Sequence, residues 1–295
     1  MKKTLAHTIR KARDYIGSLE EYEGREEHDY STDDFAYPWL NSIFTSIMAE
    51  GYPVSKKPGY VWGVLHASFL ASNLGFEAVS VIEFGVAGGN GLLALERVAE
   101  KASEVFGIRV EVFGFDSGQG LPKPRDHRDL PNLYVESAFR MDVQKLRESL
   151  RNAQLRLGFI EETVPEFISS KPPPIAFISF DLDYYSSTMD ALGVLESDAG
   201  HVLPRVHCYF DDIMGFSSAD FNGERLAIRE FNDSHESRKI SPIFGLKYFL
   251  PRQHSHAQWT EQMYLAHVLD HDAYGQYDGL VRRHFGGNTD LDTPQ

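Results

Sequence analysis

Thirteen residues constrain this chain most. Val79-Ser80-Val81-Ile82-Glu83-Phe84 is a mostly apolar, β-branched run that breaks into glycines at Gly85, Gly88, Gly89 and Gly91, then passes straight into Leu92-Leu93-Ala94-Leu95. A buried strand, a turn tight enough to need glycine and a helix beginning at that turn account for this order of residue types. The N–H groups of the helix start then face the turn and form a cradle for a nucleotide-like ligand. The spacing Gly-x-x-Gly-Gly-x-Gly departs from the Gly-x-Gly-x-x-Gly that brings backbone against a pyrophosphate. An acid, Glu83, stands two residues before the first glycine. The pattern suits a ligand without phosphates better than NAD.

Downstream, strand-like and helix-like runs alternate. Strands are expected at Val79 to Val86, Arg109 to Phe115, Leu155 to Ile160, Ile175 to Leu182 and Val206 to Ile213, with helices near 91–106, 142–152, 187–199 and 222–233. Such alternation predicts an α/β fold, a doubly wound, mostly parallel sheet with right-handed crossovers and ligands outside the carboxyl ends of its strands. Phe244 to Leu250 and Met263 to Leu269 read as a C-terminal antiparallel hairpin. Pro58 to Leu74 reads as a helix leading into the sheet. Residues 1–55 are expected to be an N-terminal helical extension, a lid or dimer arm, ahead of the main domain at 56–295. It combines a charged helix near Lys3 to Glu21, an acidic stretch from Glu20 to Asp34 and an aromatic patch from Phe35 to Met48. That patch makes a homo-oligomer a reasonable expectation.

Acids collect at the expected strand ends. The second strand finishes at Asp116, where a carboxylate can accept both hydroxyls of a ribose. The third runs into Glu161-Glu162-Thr163, the fourth into Asp181-Leu182-Asp183, the fifth into Asp211-Asp212. Four carboxylates on two neighbouring strands would repel one another at a cost of several kcal/mol, which a divalent cation relieves. Oxygen-only ligands point to magnesium, calcium or manganese. A plainer origin for single Asp residues is turn formation or capping, and Ser187-Thr188-Met189-Asp190 has the form of a capping box. The histidine pairs His254/His256 and His267/His271 have metal-like spacings but flank expected strands, which sets the second pair far apart. Tyr184 and Tyr185 read as packing groups beside the acids.

Together, the ordered motifs resemble the macrocin O-methyltransferase family, metal-dependent class I S-adenosylmethionine methyltransferases that methylate sugar hydroxyls of natural products. The resemblance is carried by Glu83-Phe84-Gly85-Val86, by Gly114-Phe115-Asp116-Ser117 with Gly120-Leu121-Pro122, and by Gly158-Phe159-Ile160 with Glu162-Thr163-Val164-Pro165. The more specific part is Asp181-Leu182-Asp183-Tyr184-Tyr185-Ser186-Ser187-Thr188 followed by Asp211-Asp212. It implies a class I methyltransferase-like Rossmann fold. Glu83, Gly85, Gly88, Gly89 and Gly91 would surround the methionine end of S-adenosylmethionine and Asp116 would hold its ribose, with Ser117 and Glu162 as further cofactor contacts. Asp181, Asp211 and Asp212 would ligate Mg2+ or Mn2+, and Asp181 or Asp183 would accept the proton of a small hydroxylated substrate. The chain departs from the family at Leu203-Pro204-Arg205, where a glycine-rich turn is expected, and residues 1–55 match nothing in it.

Composition narrows the field further. A net charge of −14 disfavours nucleic acid and anionic membranes as partners, and Cys208 is a lone cysteine in an apolar run, which leaves no cysteine-based zinc site. The basic start Met1-Lys2-Lys3 leads into His7, Arg10 and Lys11 with no apolar stretch, so the expected location is the cytoplasm. Three other readings compete. Asp181-Leu182-Asp183 has the form used by metal-dependent nucleotide-sugar transferases. An NAD-dependent oxidoreductase, or a non-catalytic cofactor-binding protein of the same fold, are the others.

Overall fold

In the computed structural model, residues 38–250 and 257–276 are described. Fourteen regular elements matter for the site. In chain order they are α1 (Pro38–Ala49), α2 (Pro58–Leu74), β1 (Ala78–Phe84), α3 (Asn90–Phe106), β2 (Arg109–Asp116), α4 (Val143–Ser149) and β3 (Gln154–Leu157). They continue with α5 (Ile160–Ser169), β4 (Ile175–Phe180), α6 (Tyr185–Leu192), β5 (Val202–Phe210), α7 (Gly223–Ser234), β6 (Arg238–Pro242) and β7 (Met263–Val268). The strands form one sheet of order β3-β2-β1-β4-β5-β7-β6. The first five strands pair in parallel, and β7 runs antiparallel to both its neighbours. This is the doubly wound, mostly parallel sheet that alternation predicts, with its C-terminal antiparallel pair.

Apolar strands buried on both faces need a layer on each side. One layer is built from α1, α2 and α3, with Leu40, Phe44, Tyr60, Leu65 and Leu95 in its core. The other is built from α5, α6 and α7, with Phe167, Leu192 and Phe231. Leu40, Ile43, Phe44 and Ile47 are each within 1% of full burial, so the part of the expected aromatic patch that lies within the described residues belongs to the main core. The charged helix and the acidic stretch before it lie outside the described residues. Among the described residues, no helix is long and apolar enough to cross a membrane.

Register lines up the site. Phe84 lies opposite Phe115 on one side and Phe180 on the other, and Phe180 lies opposite Phe210. These rings pack across four strands, with centroids 4.9 Å apart for Phe84 and Phe115, 5.8 Å for Phe84 and Phe180, and 4.6 Å for Phe180 and Phe210. Each such pair contributes about 0.5–1.5 kcal/mol beyond its burial. The next residue on each strand is therefore fixed at the same level: Asp116, Gly85, Asp181 and Asp211.

Several boundaries differ from the sequence reading. The strand that pairs with β7 is Arg238–Pro242, while the expected Phe244 to Leu250 forms a 3-10 turn at Leu246–Phe249. β3 is only four residues long, and Ile160 already begins α5, so Glu161 and Glu162 occupy a helix's first turn. β4 stops at Phe180 and β5 at Phe210, with Asp211–Ile213 a 3-10 turn. The expected capping box at Ser187 is inside α6, which starts at Tyr185. That helix start is held by Asp129, whose carboxylate accepts from the Ser186 N–H at 2.8 Å and hydroxyl at 3.0 Å.

Candidate active site

A cleft of about 620 Å³ opens at the carboxyl ends of β1, β2, β4 and β5. The glycine turn, Asp116, Ser117, Asp181, Asp183, Asp211 and Asp212 all line it, as does Glu83 at its floor. The sequence-predicted acids and the turn are thus brought into one space. Glu162 is exposed and outside that lining, and its neighbour Glu161 takes the place.

Two glycines are required by geometry. Gly85 has φ +83, and a Cβ there would overlap the Asp181 carbonyl oxygen, so β1 and β4 can close up only with glycine at this point. A Cβ at Gly91 would run into Glu83 Oε1, so the start of α3 sits directly on that carboxyl. Gly89 caps α3 against Leu146, while Gly88 faces open space.

Glu83 is 1% exposed. Its Oε1 accepts from the Tyr60 hydroxyl at 2.8 Å, and the Tyr60 oxygen accepts in turn from Ser179 Oγ at 2.7 Å. Its Oε2 has no hydrogen-bond partner among the described residues. Burial above all pushes the carboxyl up to about 8, against the pull of Lys57. A buried acid with a vacant acceptor atom beside a helix N-terminus is suited to a cationic group such as a ligand ammonium.

Asp116 is already engaged. Its Oδ2 accepts from the Val86 and Ala87 N–H groups at 3.0 and 2.8 Å, and Oδ1 accepts from Gly118 N–H at 2.6 Å. It therefore braces the glycine turn and its own loop; Oδ2 is fully used, and Oδ1 keeps one lone pair for a hydroxyl in the cleft. Ser117 Oγ accepts from Gln119 N–H and donates to the Gly120 carbonyl, both at 3.0 Å, so it shapes the same loop.

The acid wall is tightly linked. Asp183 has φ +61, so the chain has already turned and the alternation of a continuing strand does not apply. Its backbone N–H donates to Asp212 Oδ2 at 3.0 Å, and its side chain still reaches the cleft beside Asp181. Asp212 Oδ1 accepts from the Tyr134 hydroxyl at 2.8 Å, and the Asp212 N–H donates to buried Glu224 at 2.9 Å. Tyr209 donates to Asp211 Oδ1 at 3.1 Å. Burial, followed by Asp211, pushes Asp181 up to about 7 while Lys57 pulls it down. Burial, then Asp212 and Asp181, pushes Asp183 up to about 8, and Asp212 is raised by burial and Asp211. These shifts report an unmet demand for positive charge.

Lys57, Tyr60, Tyr134 and Glu224 belong to the site and were not singled out in the sequence. Lys57 and Tyr60 come from the start of α2, and Lys57 Nζ lies 3.3 Å from Asp181 Oδ2. The donor set fits a hard divalent cation in kind and charge, since four carboxylates share one wall and repel one another. As folded, no group of three His, Cys, Asp or Glu side chains among the described residues is arranged to hold a metal. Lys57 takes one oxygen of Asp181. His267 is bonded to the Tyr274 hydroxyl and His271 to the Ala273 N–H, so that pair serves the C-terminal loop. His254 and His256 lie outside the described residues.

No protein-family model matches the sequence, and no curated protein does. Solved structures that resemble the chain include the calicheamicin methyltransferase CalS11, at 18% identity over 76% of this chain and 96% of that one, TM-score 0.46. Two others are the O-methyltransferase NovP, at 14% identity over 70% and 84%, TM-score 0.37, and an O-methyltransferase from Bacillus cereus in complex with SAH, at 17% over 78% and 90%, TM-score 0.36.

Proposed function

We propose that the protein is an S-adenosylmethionine-dependent O-methyltransferase that acts, with a divalent cation, on a hydroxyl of a neutral small molecule. The observation that carries this reading is one cleft with two chemically distinct halves. The half at the turn from Gly85 to Gly91 has a buried acid, Glu83, with a vacant acceptor atom, and a second acid, Asp116, at the neighbouring strand end. The other half is a wall of four carboxylates.

Bound there, S-adenosylmethionine would supply a methyl group on a sulfonium, and Mg2+ or Mn2+ would acidify and orient an acceptor hydroxyl. Glu83 would receive the methionine ammonium and Asp116 Oδ1 a ribose hydroxyl. Asp181, Asp211 and Asp212 would hold the cation. Asp183, held near neutrality by burial and its acid neighbours, is the group poised to take the acceptor proton. Tyr134 fixes Asp212 from the facing loop, and Glu224 fixes the turn that carries Asp211 and Asp212.

Charge selects the acceptor class. A wall of carboxylates repels phosphate- or carboxylate-bearing acceptors, whereas a neutral polyhydroxyl compound meets no such cost. A sugar, free or attached to a natural product, is the acceptor the family resemblance implies.

The test is methyl transfer from S-adenosylmethionine to a panel of neutral glycosides, phenols and sugar phosphates, each with Mg2+, with Mn2+ and with excess chelator, read by mass spectrometry. The reading predicts a gain of one methyl on a neutral glycoside that disappears on chelation. Transfer that proceeds at full rate in chelator would reject the metal, and methylation of sugar phosphates in preference to neutral sugars would reject the acceptor class.

A further inference from the structure

Lys57 stands where the two halves of the cleft meet. It precedes Pro58 at the start of α2, a helix buried on nearly all sides, so its backbone is anchored while its side chain reaches into the acid wall. The ammonium lies 3.3 Å from Asp181 Oδ2, 3.4 Å from the Tyr60 hydroxyl and 4.8 Å above the Tyr60 ring. Arg125 also lines the cleft, but its guanidinium pairs with Glu161 and Asp190, 3.2 Å from each.

We propose that Lys57 is a tethered counter-ion for Asp181 that a divalent cation must displace, so that ammonium and metal compete for one carboxylate. This rests on the metal reading above, and goes beyond it by assigning Lys57 a role. Two cations cannot share one carboxylate oxygen at contact without strong mutual repulsion. A displaced Lys57 has a second place to go. Beside it are the Tyr60 hydroxyl, 3.4 Å away, and the face of the Tyr60 ring, which can hold the ammonium without Asp181. Lys57 is in this sense a positioning residue: it keeps Asp181 in place when the cation is away and yields when it arrives.

The test is Mn2+ binding to the purified protein without cofactor, followed by the loss of free Mn2+ signal in electron paramagnetic resonance. Lys57→Met and Lys57→Gln remove the charge and keep a side chain of similar reach, and Lys57→Arg keeps the charge. Folding of each variant is checked by circular dichroism. The proposal predicts that both neutral variants bind Mn2+ at least tenfold more tightly than wild type, with a larger Mn2+-induced rise in Tm, while Lys57→Arg stays close to wild type. Equal or weaker binding by the neutral variants, alongside measurable binding by wild type, overturns the proposal and leaves the metal reading standing. Tighter binding by Lys57→Arg as well overturns it in favour of packing. No Mn2+ binding by any form overturns both.

Discussion

Replacing Glu83 with Gln should stabilise the protein in the absence of ligands, and only above mildly acidic pH. Glu83 is 1% exposed, with the Tyr60 hydroxyl, itself held by Ser179, on one oxygen and nothing among the described residues on the other. Its carboxyl is raised from 4.5 to about 8, chiefly by burial. The folded state therefore holds this proton more tightly than the unfolded chain does. Stability is fully present below about pH 4.5 and falls as pH rises through the folded value. Each unit of that window costs about 1.4 kcal/mol, because the unfolded chain ionises there while the folded state keeps the proton; the loss is roughly 3 kcal/mol by pH 7 and less than about 1 kcal/mol at pH 5. Gln copies the neutral acid in shape and still accepts from Tyr60. Glu83→Gln should match wild type within about 1 kcal/mol at pH 5 and exceed it by about 3 kcal/mol at pH 7, a Tm rise of roughly 6–12 °C for a domain of this size. Urea unfolding of both proteins at pH 5, 6, 7 and 8 measures this. The difference between the two is the readout, because Asp181 and Asp183 are raised as well and give wild type a slope of the same sign. A difference that does not grow between pH 5 and 7 would refute the reasoning. The same variant should bind S-adenosylmethionine more weakly, because the ammonium loses its anionic partner.

Asp116→Ala leaves the Val86, Ala87 and Gly118 N–H groups without their acceptor, so it should lose about 2 kcal/mol or more in urea unfolding and at least tenfold in cofactor affinity by calorimetry. Unchanged affinity would remove Asp116 from the cofactor site. Asp183→Asn keeps the backbone bond to Asp212 and tolerates the left-handed φ of +61, so the fold should hold while kcat drops by about 10² to 10⁴ with little change in cofactor affinity. Wild-type turnover would leave Asp183 as a loop brace. Phe180→Ala removes the ring between Phe84 and Phe210 and should cost about 3–5 kcal/mol of stability. A loss under about 1 kcal/mol would show that the aromatic row does not set the level of the strand ends.

The legible part of this chain is the part where local pattern and global position agree. The glycine turn could be read because an apolar strand, a break and a helix follow one another within the seventeen residues from Val79 to Leu95, and the fold class followed from alternation. The strand-end acids were legible one by one. A further signal was present, since Phe84, Phe115, Phe180 and Phe210 each precede a site residue and form one row across the sheet. The last antiparallel pair was misplaced because Phe244 to Leu250 is the more apolar segment. The actual strand, Arg238–Pro242, is an edge strand rich in polar residues, and its Arg238 is buried through hydrogen bonds to the Leu195 and Ser197 carbonyls and an ion pair with Asp270. Helix α5 was missed because Pro165 lies inside it and its first turn, Glu161-Glu162, reads as a strand exit. Lys57 and Tyr134 reach Asp181 and Asp212 from 124 and 78 residues away, Tyr60 and Glu224 act from inside neighbouring helices, and nothing local marks any of them. The second of two lysines before a proline at a helix start becomes notable only once the structure sets it 3.3 Å from Asp181.

The central claim is that the turn from Gly85 to Gly91 receives the methionine end of S-adenosylmethionine above Glu83. Calorimetric titration of S-adenosylhomocysteine into wild type and Gly91→Val tests it most directly, because any side chain at Gly91 runs into Glu83 Oε1. The account predicts saturable binding by wild type, no heat with NAD, and at least a hundredfold loss in Gly91→Val while its circular dichroism stays native. Wild-type affinity in a folded Gly91→Val protein, or tighter binding of NAD than of S-adenosylhomocysteine, would contradict it.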